Sequence, residues 1–170
     1  MEFKKICMLG LGYIGLPTAS MFATAGLNVV GVDVNEDVVR TLQGGELHIH
    51  EPGLRDAVRQ ALESGRLTFS TQTVEADAFI IAVPTPFYDD KRADMRAVTS
   101  ATEMILPVLR KGNLVVLEST SPPRTTIDLV KPILEKSGLK AGVDFHLCYS
   151  PERVLPGHAY VAPGHSHLLV

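Results

Sequence analysis

The chain has no tryptophan, only two cysteines, Cys7 and Cys148, and no apolar run long enough to cross a bilayer among its 170 residues. Two isolated cysteines without C-x-x-C spacing suit neither a disulfide framework nor a thiolate metal cluster. Both fall inside segments that read as strands, so buried, reduced thiols are expected. An excess of positive charge is missing as well: the formal net charge is −3 and the pI about 6.0, with basic residues scattered rather than clustered. That excludes the electrostatic footprint of a nucleic-acid partner. The opening Met1-Glu2-Phe3-Lys4-Lys5 leads only into a short apolar stretch interrupted by glycine. This makes a poor signal peptide, so a cytoplasmic protein with no membrane partner is expected. Internal repeats and low-complexity segments are absent, and a chain of this length suits one domain burying about 70% of its unfolded surface.

Glycine is present where it carries information. Gly10-Leu11-Gly12-Tyr13-Ile14-Gly15-Leu16-Pro17 follows the apolar run Lys5-Ile6-Cys7-Met8-Leu9 and precedes a helical pattern of Leu16, Ala19, Phe22 and Ala23, with Gly26 placed to cap its end. Each glycine meets a separate steric demand. Gly10 permits the tight turn out of the strand, Gly12 lets backbone amides approach phosphates, and Gly15 lets helix and strand pack closely. Pro17 falls in the first helical turn, where its missing donor costs little. A second strand, Val29-Val30-Gly31-Val32, ends at Asp33, about 20 residues past the glycines, where the dinucleotide fingerprint places an acid for the adenosine ribose hydroxyls. Val34-Asn35-Glu36 supplies no arginine to receive a 2′-phosphate, which favours NAD over NADP. The competing reading of this segment is that Asp33 merely ends a strand and Asn35 or Glu36 starts a helix.

Strands and helices alternate along the whole chain, which predicts an α/β fold: a Rossmann-type, doubly wound parallel sheet in a single domain. Further strands are expected near Leu67–Ser70, Ala78–Val83, Leu114–Glu118 and Phe145–Tyr149. Helices are marked by Leu54, Val58, Ala61 and Leu62; by Val98, Ala101, Ile105 and Leu109 with Asp94 as N-cap; and by Ile127, Val130, Ile133 and Leu134. His48, His50 and Glu51 invite a metal reading, but they sit in a loop with Pro52 and Gly53 and have no second ligand cluster, so no metal site is expected.

Ligands of open α/β sheets bind outside the carboxyl ends of the strands. Gly10 to Gly15, Asp33, Pro84-Thr85-Pro86, Ser119-Thr120-Ser121-Pro122-Pro123 and Pro151-Glu152-Arg153 each follow a strand and would share one rim. Taken singly, these segments read as strand terminators, a turn and a surface ion pair; their coincidence at one edge favours a shared site. There Thr85 can offer a hydroxyl to the cofactor, and Thr126 can reach ribose or phosphate. Glu152 is the acid–base candidate, and Arg153 could hold a phosphate or carboxylate through its planar fork of donors.

In this order, GLGYIGLP, GVDVN, the Glu51-Pro52-Gly53-Leu54 loop, IAVPTPF, LESTSPP and SPERVLPG resemble the N-terminal domain of the UDP-sugar 6-dehydrogenases, from about Lys5 to Gly157. The resemblance implies oxidation of a UDP-sugar C6 alcohol to a carboxylate with two NAD and no metal, by a parent enzyme that is a homodimer or larger. It implies that Tyr13, Ile14, Asp33, Thr85 and Thr126 contact NAD, that Arg153 and Val154 touch the UDP-sugar, that Glu152 assists proton transfer and that Thr120 helps orient water. Such enzymes capture the intermediate aldehyde on a cysteine as a thiohemiacetal and hydrolyse a later thioester. No FGGxC-like segment that would carry that cysteine occurs in this chain. Two departures stand out. Arg124 replaces the glycine usual after the SPP turn, and residues 158–170 do not resemble the family's continuation into its linking helix. The expected organisation is an NAD-binding domain over 1–157 and an atypical tail over 158–170, read as a truncated, frameshifted or appended end, without the central helix and UDP-binding domain. A non-catalytic NAD-sensing module is the competing function, since fold alone does not decide. SPERVLPG argues against it, because a sensor has no need for a substrate-side Glu-Arg pair.

Overall fold

A computed structural model describes residues 3–151, so Glu152, Arg153, Val154 and the 158–170 tail lie outside the described residues. The elements run β1 (Lys5–Leu9), α1 (Gly15–Thr24), β2 (Asn28–Val32), α2 (Glu36–Gln43), α3 (Leu54–Glu63), β3 (Leu67–Ser70), β4 (Ala78–Ile81), α4 (Arg96–Ile105), β5 (Leu114–Leu117), α5 (Lys131–Leu134) and β6 (His146–Tyr149). Among the described residues these strands form one six-stranded sheet in the order β3-β2-β1-β4-β5-β6. Every pairing is parallel. This is the doubly wound order expected, with its reversal point between β1 and β4.

Strand register sets up the site. Leu9 pairs with both Val32 and Ile81, Ile81 with Leu117, and Leu117 with Tyr149. The residues that follow, Asp33, Gly10, Ala82, Glu118 and Ser150, therefore leave the sheet side by side. Alternate side chains of each strand feed opposite cores. Ile6, Met8, Val29 and Ile80 join Leu16, Ala19 and Val58 on one face, while Cys7, Leu9, Phe79, Ile81, Val115 and Leu117 join Val98, Ile105 and Leu134 on the other. Continuous apolar strands are what a sheet covered on both faces requires.

Several local expectations are refined. Gly26, at φ +101°, closes α1 by donating to the Ala23 carbonyl at 3.0 Å, as its position predicted. Asp94 does not occupy the N-cap of α4: that position falls to Met95, and Asp94, one residue earlier, accepts from the Arg96 amide at 3.0 Å and pairs with its guanidinium. The helix expected around Ile127 to Leu134 divides into a widened π-type turn over Thr126–Val130 and the short α5. Pro132 explains the division, because without an N–H it cannot continue an i to i−4 ladder to Asp128. Cys7 is fully buried as expected, whereas Cys148 is exposed. Its strand is the sheet edge, and among the described residues the helices on its side pack over the other end of the sheet. No helix of the described residues is long and apolar enough to cross a membrane.

One carboxylate ties the start of the sheet together. Asp77, just before β4, accepts the backbone amides of Lys4 and Lys5 through Oδ2 at 2.8 Å each. These two amides, Lys4 first, hold its pKa below the ordinary carboxylate value. A depressed pKa adds stability above the unfolded-state value, near 4, which is lost as pH falls through the folded one. Asp77→Asn should therefore cost about 1 kcal/mol at pH 7, after allowance for its partial exposure. The gap from wild type in urea midpoint should close as the pH is lowered below about 4.

Candidate functional site

The first turn of the site is shaped by backbone crowding. Gly10 sits at φ +92°, in the left-handed region, and a Cβ there would collide with the Ala82 carbonyl oxygen. At Gly15 a Cβ would strike the Gly10 carbonyl oxygen, so the start of α1 lies directly against the end of β1. Gly12 differs from both, since a Cβ there would meet nothing within 4 Å. Its missing side chain keeps space open above the loop, in keeping with the approach of a phosphate. The helix that follows begins without a side-chain cap. Leu16 N–H donates to the Gly12 carbonyl at 3.2 Å and Pro17 has no N–H, so what the start of α1 offers an anion is chiefly the positive end of its dipole.

Leu11 locks this turn from below. Its side chain is fully buried and presses on Gly31 of β2, where a Cβ would lie 2.7 Å from Leu11 Cδ2. Its backbone amide donates to Asp33 Oδ2 at 3.0 Å, and Asp33 Oδ1 accepts the Asn35 amide at 3.0 Å. Asn35 in turn caps α2 by accepting the Asp37 amide. Asn35 begins a helix, as the competing reading expected, and Asp33 also stands at the rim.

A cavity of about 570 Å³ opens over the carboxyl ends of the strands. Gly10, Gly12, Tyr13, Ile14, Asp33, Thr85 and Thr120 all line it. Gly15 is buried behind the loop, and Thr126, half-buried at the start of the π-type turn, is not part of the lining. Two hydroxyls fix the far side. Ser119, buried, donates to the Val83 carbonyl at 2.7 Å, and the Thr85 hydroxyl donates to the Thr120 carbonyl. The segments after β4 and β5 are thereby joined. Next to them, Arg124 adopts φ +70°, a left-handed conformation that suits the glycine usual at this position, and its guanidinium holds Asp128 at 2.8 Å. Cys7, with no exposed surface, has its thiol pushed up to about 11 by burial, so it is inert as a nucleophile.

Sequence reasoning missed one wall and two single residues. Ala97, Ser100, Ala101 and Met104 of α4 line the cavity, and their i, i+3, i+4, i+7 spacing was a legible signal of a second helix face. His48, which the sequence marks only for a metal reading, and Glu118, marked only as part of LESTSPP, also line it. Among the described residues no three His, Cys, Asp or Glu side chains gather as a metal site would need.

Residues 4–165 match the NAD binding domain of the UDP-glucose/GDP-mannose dehydrogenase family. The chain belongs to this family. It is 49% identical over 160 residues to UDP-N-acetyl-D-mannosamine dehydrogenase of Methanococcus maripaludis, covering 92% of this chain and 36% of the relative. Against the Escherichia coli K12 enzyme of the same name it is 48% identical over 168 residues, covering 95% and 40%. The structure of UDP-N-acetyl-mannosamine dehydrogenase from Staphylococcus aureus superposes with a TM-score of 0.87 at 48% identity, over 91% of this chain and 38% of that one. The chain thus spans well under half the length of these relatives.

The different surroundings of the glycines give a paired prediction. Gly12→Val should leave the far-UV circular dichroism and thermal midpoint unchanged while abolishing NAD binding in calorimetric titration, because its side chain would fill ligand space alone. Gly15→Ala should instead destabilise the fold by roughly 1–3 kcal/mol through backbone overpacking.

Proposed function

We propose that this chain is the NAD-binding portion of an enzyme that oxidises the C6 alcohol of UDP-N-acetylmannosamine to the carboxylate, within a parent assembly that is a homodimer or larger. The observation that carries this reading is the shared cavity of the glycine turn, Asp33, Thr85 and Thr120, set in a chain of this family. The residues fit a dinucleotide. Space is kept free above Gly12, the N-terminal end of the α1 dipole lies beside it, and a carboxylate stands at the end of β2. When bound, NAD supplies the hydride acceptor.

The chain's own residues then divide the work. Asp33 receives the adenosine ribose hydroxyls and repels a 2′-phosphate. The Gly10 to Gly15 turn, with Tyr13 and Ile14, holds the pyrophosphate. Thr85 and Thr126 contact the cofactor, and Thr120 orients water. Glu152 moves the proton, while Arg153 and Val154 engage the UDP-sugar. The covalent capture of an aldehyde needs a thiolate facing the cavity. Neither cysteine of this chain supplies it, since Cys7 is sealed in β1 and Cys148 lies outside the cavity lining.

Asp33 generates the test of cofactor choice. Wild type should bind NAD more tightly than NADP in calorimetric titration, and equal affinity for the two would overturn the assignment. Asp33→Asn should narrow that preference by removing the repelling charge. It should also weaken NAD itself, because an amide cannot accept from both Leu11 and Asn35 as the carboxylate does.

A second test addresses the reaction. This 170-residue chain should produce no NADH from UDP-N-acetylmannosamine or UDP-glucose, whereas a longer chain carrying the family's cysteine segment should be active. Turnover by this chain that survives replacement of both cysteines would contradict the proposal.

A further inference from the structure

His48 is the most unexpected member of the cavity lining. The ionisable side chains there are Asp33, Glu118, His48 and the phenol of Tyr13, and among the described residues no lysine or arginine lines it. A dinucleotide brings two phosphate charges into a space that already holds two carboxylic side chains. Backbone amides of the glycine turn meet part of that charge. Among the described residues, the one lining side chain able to add a cationic donor is an imidazole.

Its placement is built rather than accidental. The α2–α3 connection is pinned at both ends: the Glu46 amide donates to the Thr41 carbonyl at 3.1 Å, and Glu51 is buried. Between these points Leu47 and Ile49 pack on the first core cluster, so the intervening His48 is exposed and joins the cavity lining. His50, two residues on, is also exposed but does not line the cavity.

We infer that His48 is a further cofactor-binding residue, donating from its imidazole to the phosphate groups of the adenosine diphosphate half of the dinucleotide. This rests on the NAD-binding reading above and assigns a role to a loop histidine outside the glycine fingerprint.

Calorimetric titration of wild type, His48→Ala, His48→Arg and His50→Ala with NAD, ADP and adenosine tests it. His48→Ala should weaken NAD and ADP by about fivefold, the scale of one partly exposed charge-assisted hydrogen bond, and leave adenosine unchanged. His48→Arg should retain most of the affinity, and His50→Ala should match wild type. Thermal melts of all variants should coincide, since both histidines are exposed. Unchanged ADP affinity in His48→Ala overturns the inference while NAD binding by wild type keeps the parent reading standing. Equal losses for adenosine and ADP overturn it too, because they would place the imidazole on the base. Failure of wild type to bind NAD overturns both readings together.

Discussion

The contact between the start of α1 and the last turn of β1 governs the rest of the molecule. Gly15 lies against the Gly10 carbonyl and Gly10 against the Ala82 carbonyl, so three backbone segments meet with no side chain between them. That closeness aims the first turn of α1 across the ends of β1 and β4, the point where the sheet order reverses. A side chain at either glycine would lift the helix away from the sheet. The helix dipole and the open space over Gly12 would then no longer converge on one place.

Around that point the rim is stiffened by polar groups that serve two purposes. Asp33 faces the cavity and at the same time accepts backbone amides from the glycine turn and from the start of α2. Ser119 and Thr85 tie the segments after β4 and β5 to each other. Hydrogen bonds of this kind add modest net stability but strongly restrict geometry. A site with its spacing fixed in advance loses less on binding than one that must be assembled around its ligand.

The strands, the sheet order and the shared rim were legible because each follows from local signals: apolar runs buried on both faces, glycines at turns, and polar residues just past strand ends. What escaped depended on neighbours distant in sequence. Cys148 lies in a predicted strand, and its exposure follows from β6 being an edge strand whose outer neighbours do not cover it, whereas the other edge strand, β3, keeps Leu67 and Phe69 buried under helices. The division of the helix after Thr126 was readable from Pro132, yet the apolar period around it masked the signal. His48 gained its place through Leu47 and Ile49, whose burial depends on the core formed by α1, α3 and the sheet. Asp33 was legible as an acid closing β2 at the rim, whereas its bond to Leu11 depends on how β2 lies beside the turn.

Leu11 acts as a rivet. Loops that receive phosphates are usually among the more mobile parts of a fold, because glycine and surface exposure leave them many conformations. Here the second residue of the loop drives a fully buried side chain onto Gly31, between β2 and α1. Lifting the turn would expose that leucine to water at a cost of about 1.5–3 kcal/mol, so the phosphate cradle opens only when part of the hydrophobic core opens with it. The residence time of a bound dinucleotide is then coupled to the packing of the domain interior, and a substitution at Gly31, which does not line the cavity, would be felt as faster cofactor release.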